Sequence, residues 1–172
     1  MSALLLSHVA ISLIGIGAGF VVIYGMFAAK RMETWTALFL ATTVATSLTG
    51  VVLPADRFMA SHAFAILSIV ALGLAIYARY AAHLRGGWRN TYVATALFAQ
   101  YLNVFVLVVQ SFLKIPALKQ LAPTQTEPVF AVTQLVVLVG FVVAGFLAAR
   151  RFRGVAIDAD SSVNGPAVSN LA

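Results

Sequence analysis

Cysteine is absent from the 172 residues, which excludes disulfides, thiolate nucleophiles, iron–sulfur clusters and cysteine-ligated zinc. Charge is nearly as scarce. Only 9% of residues are charged and only 5 are acidic, whereas about 25% of an ordinary soluble domain is charged. A chain with 62% hydrophobic residues and a mean hydropathy of +0.98 is built for lipid as its solvent. Also missing are a phosphate-binding glycine loop, a G-x-S-x-G elbow, a metalloprotease motif and an internal repeat. No Asp, Glu or Lys falls at mid-depth of an apolar run, which weakens a proton relay or ion-coupled pump.

What the chain does contain is a series of apolar stretches. Val9 to Ala29, Trp35 to Leu53, Ala63 to Ala82, Tyr92 to Phe112 and Val129 to Ala149 each carry enough residues to cross a hydrocarbon core of about 30 Å as a helix rising 1.5 Å per residue. They are continuous runs without the alternation of a barrel strand, so helices are required. The expected fold is therefore an all-α transmembrane bundle over 1–154, followed by a polar, disordered tail over 155–172. The odd number of spans argues against a two-fold inverted duplication. No Lys or Arg precedes the first span, and its apolar run exceeds the 7–15 residues of a signal peptide, so it is expected to be retained.

Charge sets the expected orientation. With the amino terminus outside, Lys30, Arg31, Arg79, Arg85, Arg89, Arg150, Arg151 and Arg153 are cytoplasmic, while Arg57, Lys114 and Lys119 are external, the positive-inside arrangement. Trp35, Tyr77, Tyr80, Trp88 and Tyr92 gather at the same cytoplasmic boundary, where amphipathic rings prefer to sit. This distribution explains the net charge of +6 topologically and without nucleic acid. Arg79 lies near a span end, where its side chain is expected to snorkel to the headgroups.

Polar residues inside the spans are the candidates for chemistry. Gln100, Asn103 and Gln110 share one face of the fourth span, and Gln134 sits in the fifth. Together with the threonines of the second span, they outline a candidate polar path for a small solute. The alternative is packing glue, in which amides bond across helices and hydroxyls bond their own helix carbonyls. At the outer face His8, His62, Asp56 and Glu127 form a candidate cluster for a metal, haem or quinone headgroup. His62 and His83 are separated by about 31 Å of helix and do not share a ligand. No cofactor is required by any motif, and none is assigned.

Gly15 and Gly19 form a small-xxx-small face on the first span, and Gly140 and Ala144 repeat the spacing on the fifth. Both are expected to pack against a helix of this chain or of a second subunit. The segment Lys114 to Pro128 has Ile115, Leu118 and Leu121 beside Lys119, which predicts a short interfacial helix.

The runs SLTGVVLPADRFMASH and YLNVFVLVVQSFLKIPALKQLAPTQTEP resemble a family of small polytopic inner-membrane proteins of bacteria. The resemblance implies a bacterial cytoplasmic membrane and carries over no activity and no site residue. The functional expectation is a small, non-enzymatic membrane subunit, accessory or homo-oligomer, with the lipid bilayer and other membrane-protein subunits as its partners. A solute facilitator, or a haem- or quinone-associated protein, is the alternative.

Overall fold

The computed structural model describes residues 3–52 and 60–152, and among these it contains helices and no strand. The elements are α1 (Ala3–Phe27), α2 (Glu33–Val52), α3 (Ala60–Ile76), α4 (Trp88–Lys114), α5 (Pro116–Leu121) and α6 (Pro128–Arg151). All but α5, with α3 taken on through Ala81, are long and apolar enough to cross a membrane, so the all-α, five-span bundle expected from the apolar runs is the fold. The polar tail over 155–172 lies outside the described residues.

Successive helices pack as antiparallel neighbours: α1 on α2, α2 on α3, and α3 on α4. The chain then crosses back as α6, which lies against α4 and, less extensively, α1. Helix α4 is the hub. Its buried residues Tyr92, Val93, Ala96, Leu97, Ala99, Gln100 and Leu102 recur at helical spacing along one side. The facing stretch of α3 buries Ala71, Leu72 and Ala75, and its alanines let two backbones approach where lipid supplies no hydrophobic drive.

The turns follow local chemistry. Helix α1 closes in a Schellman arrangement, with the Lys30 amide donating to the Gly25 carbonyl at 2.8 Å and Ala29 to Met26 at 3.3 Å. This places Ala29 at φ +53°, a left-handed conformation that costs an L-residue about 1–2 kcal/mol. Ala29→Gly is therefore expected to raise the unfolding free energy by about 0.5–1 kcal/mol after the entropy of the unfolded glycine is counted. A detergent unfolding titration that shows no gain would contradict this account of the turn.

Helix α3 ends differently. It widens into a π turn over Tyr77–Ala81, in which the Ala82 amide reaches back to Tyr77 at 2.9 Å. Such single-turn bulges arise where a side chain must be re-aimed. Here the side chain is Arg79.

The short helix expected in this connection is present as α5, which begins with proline in its first turn and buries no residue. Beyond it, the Gln125 amide donates to the Val109 carbonyl at 2.9 Å. Phe112 meets Phe130 edge-on at 5.3 Å. These contacts fasten the long connection to the end of α4 and the start of α6.

Candidate functional site

The interior polar groups form a seam between α1, α2 and α4. His8 Nδ1 lies 2.8 Å from Thr49 Oγ1, and the His8 ring rests near Gly50. One turn further along, Ser12 donates to the His8 carbonyl at 2.6 Å and lies 3.3 Å from Thr46 Oγ1. Next comes Gly15, against Thr42 and Thr43. The Thr43 oxygen also accepts from Asn103 Nδ2 at 3.2 Å, which brings α4 into the seam.

At its inner end Gln100, 1% exposed, donates from Nε2 to the Ile16 carbonyl at 2.8 Å. Gly19 lies directly beneath that amide. A Cβ there would stand 2.8 Å from Nε2 and be closer still to Cδ and Oε1. Glycine is required at this position for space: the amide occupies the volume any side chain would need. Between α2 and α3, Ser47 donates to Ser68 at 3.1 Å in a buried pair.

The four amides proposed for a polar path therefore point to different places. Gln100 turns to α1 and Asn103 to α2. Gln134 donates across from α6 to the Phe105 carbonyl of α4 at 3.3 Å. Gln110 is exposed. Several hydroxyls bond within their own helix, as Thr42 does to Leu38 and Thr133 to Val129, both at 2.7 Å.

Of the outer-face candidates, His8 is held by Thr49 as described. Glu127 precedes α6 at its N-cap position without a side-chain bond to the helix; its Oε1 turns back to accept from the Thr124 hydroxyl at 2.9 Å and the Thr124 amide at 3.2 Å. Desolvation works to raise the Glu127 carboxyl, but hydrogen bonds from its own amide and from Thr124 hold it below the usual carboxylate range. Asp56 and the His62 side chain lie outside the described residues. Among the described residues, no three His, Asp or Glu side chains gather to hold a metal ion.

The small-residue faces separate in the same way. Gly15 and Gly19 pack inside the bundle, and Ala144 lies against its core. Gly140 has nothing within 4 Å of its Cβ position and opens outward.

Sequence reasoning missed the second polar centre. Arg79 does not snorkel to the headgroups; it turns into the protein and is 5% exposed. Its Nη2 donates to the Arg31 carbonyl at 2.7 Å and to Glu33 Oε2 at 2.8 Å. The guanidinium lies 5.1 Å from the Tyr92 ring centre and 5.9 Å from that of Tyr80, within cation–π range. The buried Thr36 hydroxyl also reaches the Arg31 carbonyl, at 3.3 Å. One cation thus joins the end of α3, the α1–α2 turn, the start of α2 and the first turns of α4. The available signal was that Arg79 is the one basic residue within any expected span, with Glu33 at a span end on the same side.

A third feature lies outside the core. An open groove of about 450 Å³ runs between α4 and α6, walled by Val93, Ala94, Leu97, Phe98 and Tyr101 on one side and Leu138, Phe141, Val142, Gly145, Phe146 and Ala149 on the other, with Asn90 at its end. Tyr101 and Phe141 meet edge-on at 5.8 Å at its inner end. No protein-family model, curated protein or solved structure matches the chain.

Proposed function

We propose that this multi-pass membrane protein works by association, as a non-enzymatic subunit of a membrane assembly whose simplest form is a homo-oligomer joined through α6. The supporting observation is how little of α6 is used internally. Only 6% of its most apolar stretch is buried, against 28% to 44% for the other four spans. Val132, Val136, Val139 and Val143 are each more than half exposed, and they fall with Gly140 on one helical ridge facing away from α4. Valine has little rotamer freedom to lose in a helix, and the gap at Gly140 admits another backbone. Such a ridge suits helix pairing by van der Waals contact in lipid.

In this reading the protein sits in a bacterial cytoplasmic membrane with its amino terminus outside. Support comes from the charge asymmetry: Lys30, Arg31, Arg79, Arg85, Arg89, Arg150 and Arg151 lie at one end of the bundle, and Lys114 and Lys119 at the other.

The cysteine-free chain makes the test direct. Single substitutions Val136→Cys and Val143→Cys are expected to give disulfide-linked dimers in native membranes, while Val70→Cys, on the exposed side of α3, does not. Monomers from both α6 variants, together with a purified monomer that retains no partner after gentle extraction, would refute the proposal. On the same background an impermeant maleimide reads orientation. Lys119→Cys is expected to label in intact spheroplasts and Arg85→Cys only after lysis; the opposite pattern inverts the topology.

A further inference from the structure

We infer that the arginine-rich end of the bundle is a strained clasp, in which Arg79 holds two hairpin turns shut and which opens as a unit while the remaining helix pairs stay closed. No residue of the α6 ridge takes part, so the clasp stands apart from the association proposed above.

Strain is concentrated at this end. Among the described residues five L-residues have positive φ, and four of them fall in the two turns that Arg79 joins. Ala29 and Met32, at +53° and +45°, lie between α1 and α2, while His83 and Leu84, at +51° and +59°, lie between α3 and α4. A left-handed conformation lowers the population of an L-residue roughly five- to thirtyfold against its right-handed alternative. Each turn therefore holds two unfavourable steps at once. Backbone outliers gathered in this way persist only where the surroundings over-determine them, and they are typical of elements that switch.

The holding contacts converge on one side chain. The Arg79 guanidinium, carried inward by the π turn, donates to the Arg31 carbonyl at 2.7 Å and to Glu33 Oε2 at 2.8 Å. Arg31 lies between Ala29 and Met32, so the bond falls inside the strained part of the α1–α2 turn. On the other side the Ala82 amide closes on Tyr77 and the Leu84 amide on Ala78, both at 2.9 Å, and the Leu84 side chain is buried beneath. Glu33 is the weak point of the latch, because at 62% exposure water competes for its carboxylate. Breaking the Arg79 contacts lets both turns relax, whereas breaking a bond deeper in the bundle, such as Ser47 to Ser68, relieves no left-handed residue. Local opening is therefore cheapest here. The clasp has two arrangements: closed, with Arg79 inward, and open, with the guanidinium and the Arg31 carbonyl in water and the spans still packed.

Because the chain has no cysteine, single reporters read the opening through their rate of labelling by N-ethylmaleimide. Thr36, 0% exposed and bonded to the Arg31 carbonyl, is replaced by Cys as the reporter under the clasp. Ser68→Cys, at a buried position paired with Ser47, is the distant reporter. In the full-length protein in mixed micelles, Arg79→Met is expected to speed labelling of Thr36→Cys about tenfold and that of Ser68→Cys less than about twofold. Ala29→Gly and His83→Gly, both at exposed side chains, remove strain from the closed form. Introduced together with Arg79 intact, they are expected to slow Thr36→Cys labelling about five- to twentyfold. Should Arg79→Met misfold, Glu33→Lys sets a like charge against the guanidinium and is expected to give the same selective acceleration. Equal acceleration of both reporters assigns Arg79 to global stability and overturns the inference. So does a Thr36→Cys reporter that labels no faster once the latch is broken, or no slower once both glycines are present.

Discussion

Gly19→Ala is expected to destabilise the bundle by about 2–4 kcal/mol, and shortening Gln100 to alanine in the same chain is expected to relieve the overpacking part of that loss. The added methyl competes for the volume of the Gln100 carboxamide. An exposed glutamine would swing aside at little cost, but Gln100 is 1% exposed and bonded to the Ile16 carbonyl. Displacing it loses a buried hydrogen bond, at about 1–3 kcal/mol, and overpacks the α1–α4 contact, at about 1–3 kcal/mol. Better helix propensity returns about 1 kcal/mol. Gln100→Ala alone loses one interhelical bond and leaves a cavity, which the methyl introduced by Gly19→Ala then partly fills. The double variant should therefore be markedly more stable than the sum of the single losses implies. The quantities to compare are unfolding free energies of the four proteins in mixed micelles. A Gly19→Ala loss below about 0.5 kcal/mol, or simple additivity, would show that the amide has room to move.

Arg79 provides the second large effect, expressed as an order among substitutions. Arg79→Ala is expected to cost about 3–4 kcal/mol, because it removes a buried cation, its two acceptor contacts and its stacking on Tyr92. Glu33→Gln is expected to cost much less, at most about 1 kcal/mol. Its side chain is 62% exposed, so water already screens the charge it supplies, and the bond to the Arg31 carbonyl survives. Arg79→Met retains apolar volume without a buried charge and is expected to be milder than Arg79→Lys, which keeps the charge but loses the planar fork and the ring stacking. If lysine proves the better replacement, charge rather than guanidinium geometry holds the four elements together. That outcome would remove the proposed role of the Tyr92 ring.

The spans were legible because each is an uninterrupted apolar run, and composition alone places such a run in a helix. Their ends were less so. Helix α1 begins at Ala3 rather than Val9, since Leu4, Leu5 and Leu6 extend the apolar surface past His8. The tight approach at Gly15 and Gly19 was legible as small residues one turn apart, but the glutamine that fills the space above Gly19 was not. Which helix an amide faces depends on tertiary register, and the periodicity of a single helix does not contain it. Arg79 illustrates the same limit: an arginine near a span end reads alike whether it extends to the headgroups or folds inward. Its direction is set by the π turn and by a carbonyl of a distant turn. Gly140 repeats the spacing of Gly15 and Gly19 yet faces outward, because α6 joins the bundle along another side.

The hydroxyls of α2 also bear on how the chain enters the membrane. Helix α2 is the least apolar of the five spans, and its partner Asn103 on α4 is synthesised 60 residues after Thr43. Until then it must reside in lipid, or beside α1 alone, with its polar groups already satisfied. Thr42 and Thr49 meet this need by bonding their own helix at Leu38 and Ala45, both at 2.7 Å. His8 and Ser12 on the preceding helix lie within reach of Thr49 and Thr46. Of the α2 contacts along this seam, it is Thr43–Asn103 that has to wait for α4. The α1–α2 hairpin thus carries the bonds of an insertion intermediate, and the late amide from α4 closes a structure whose first half is already at home in the bilayer.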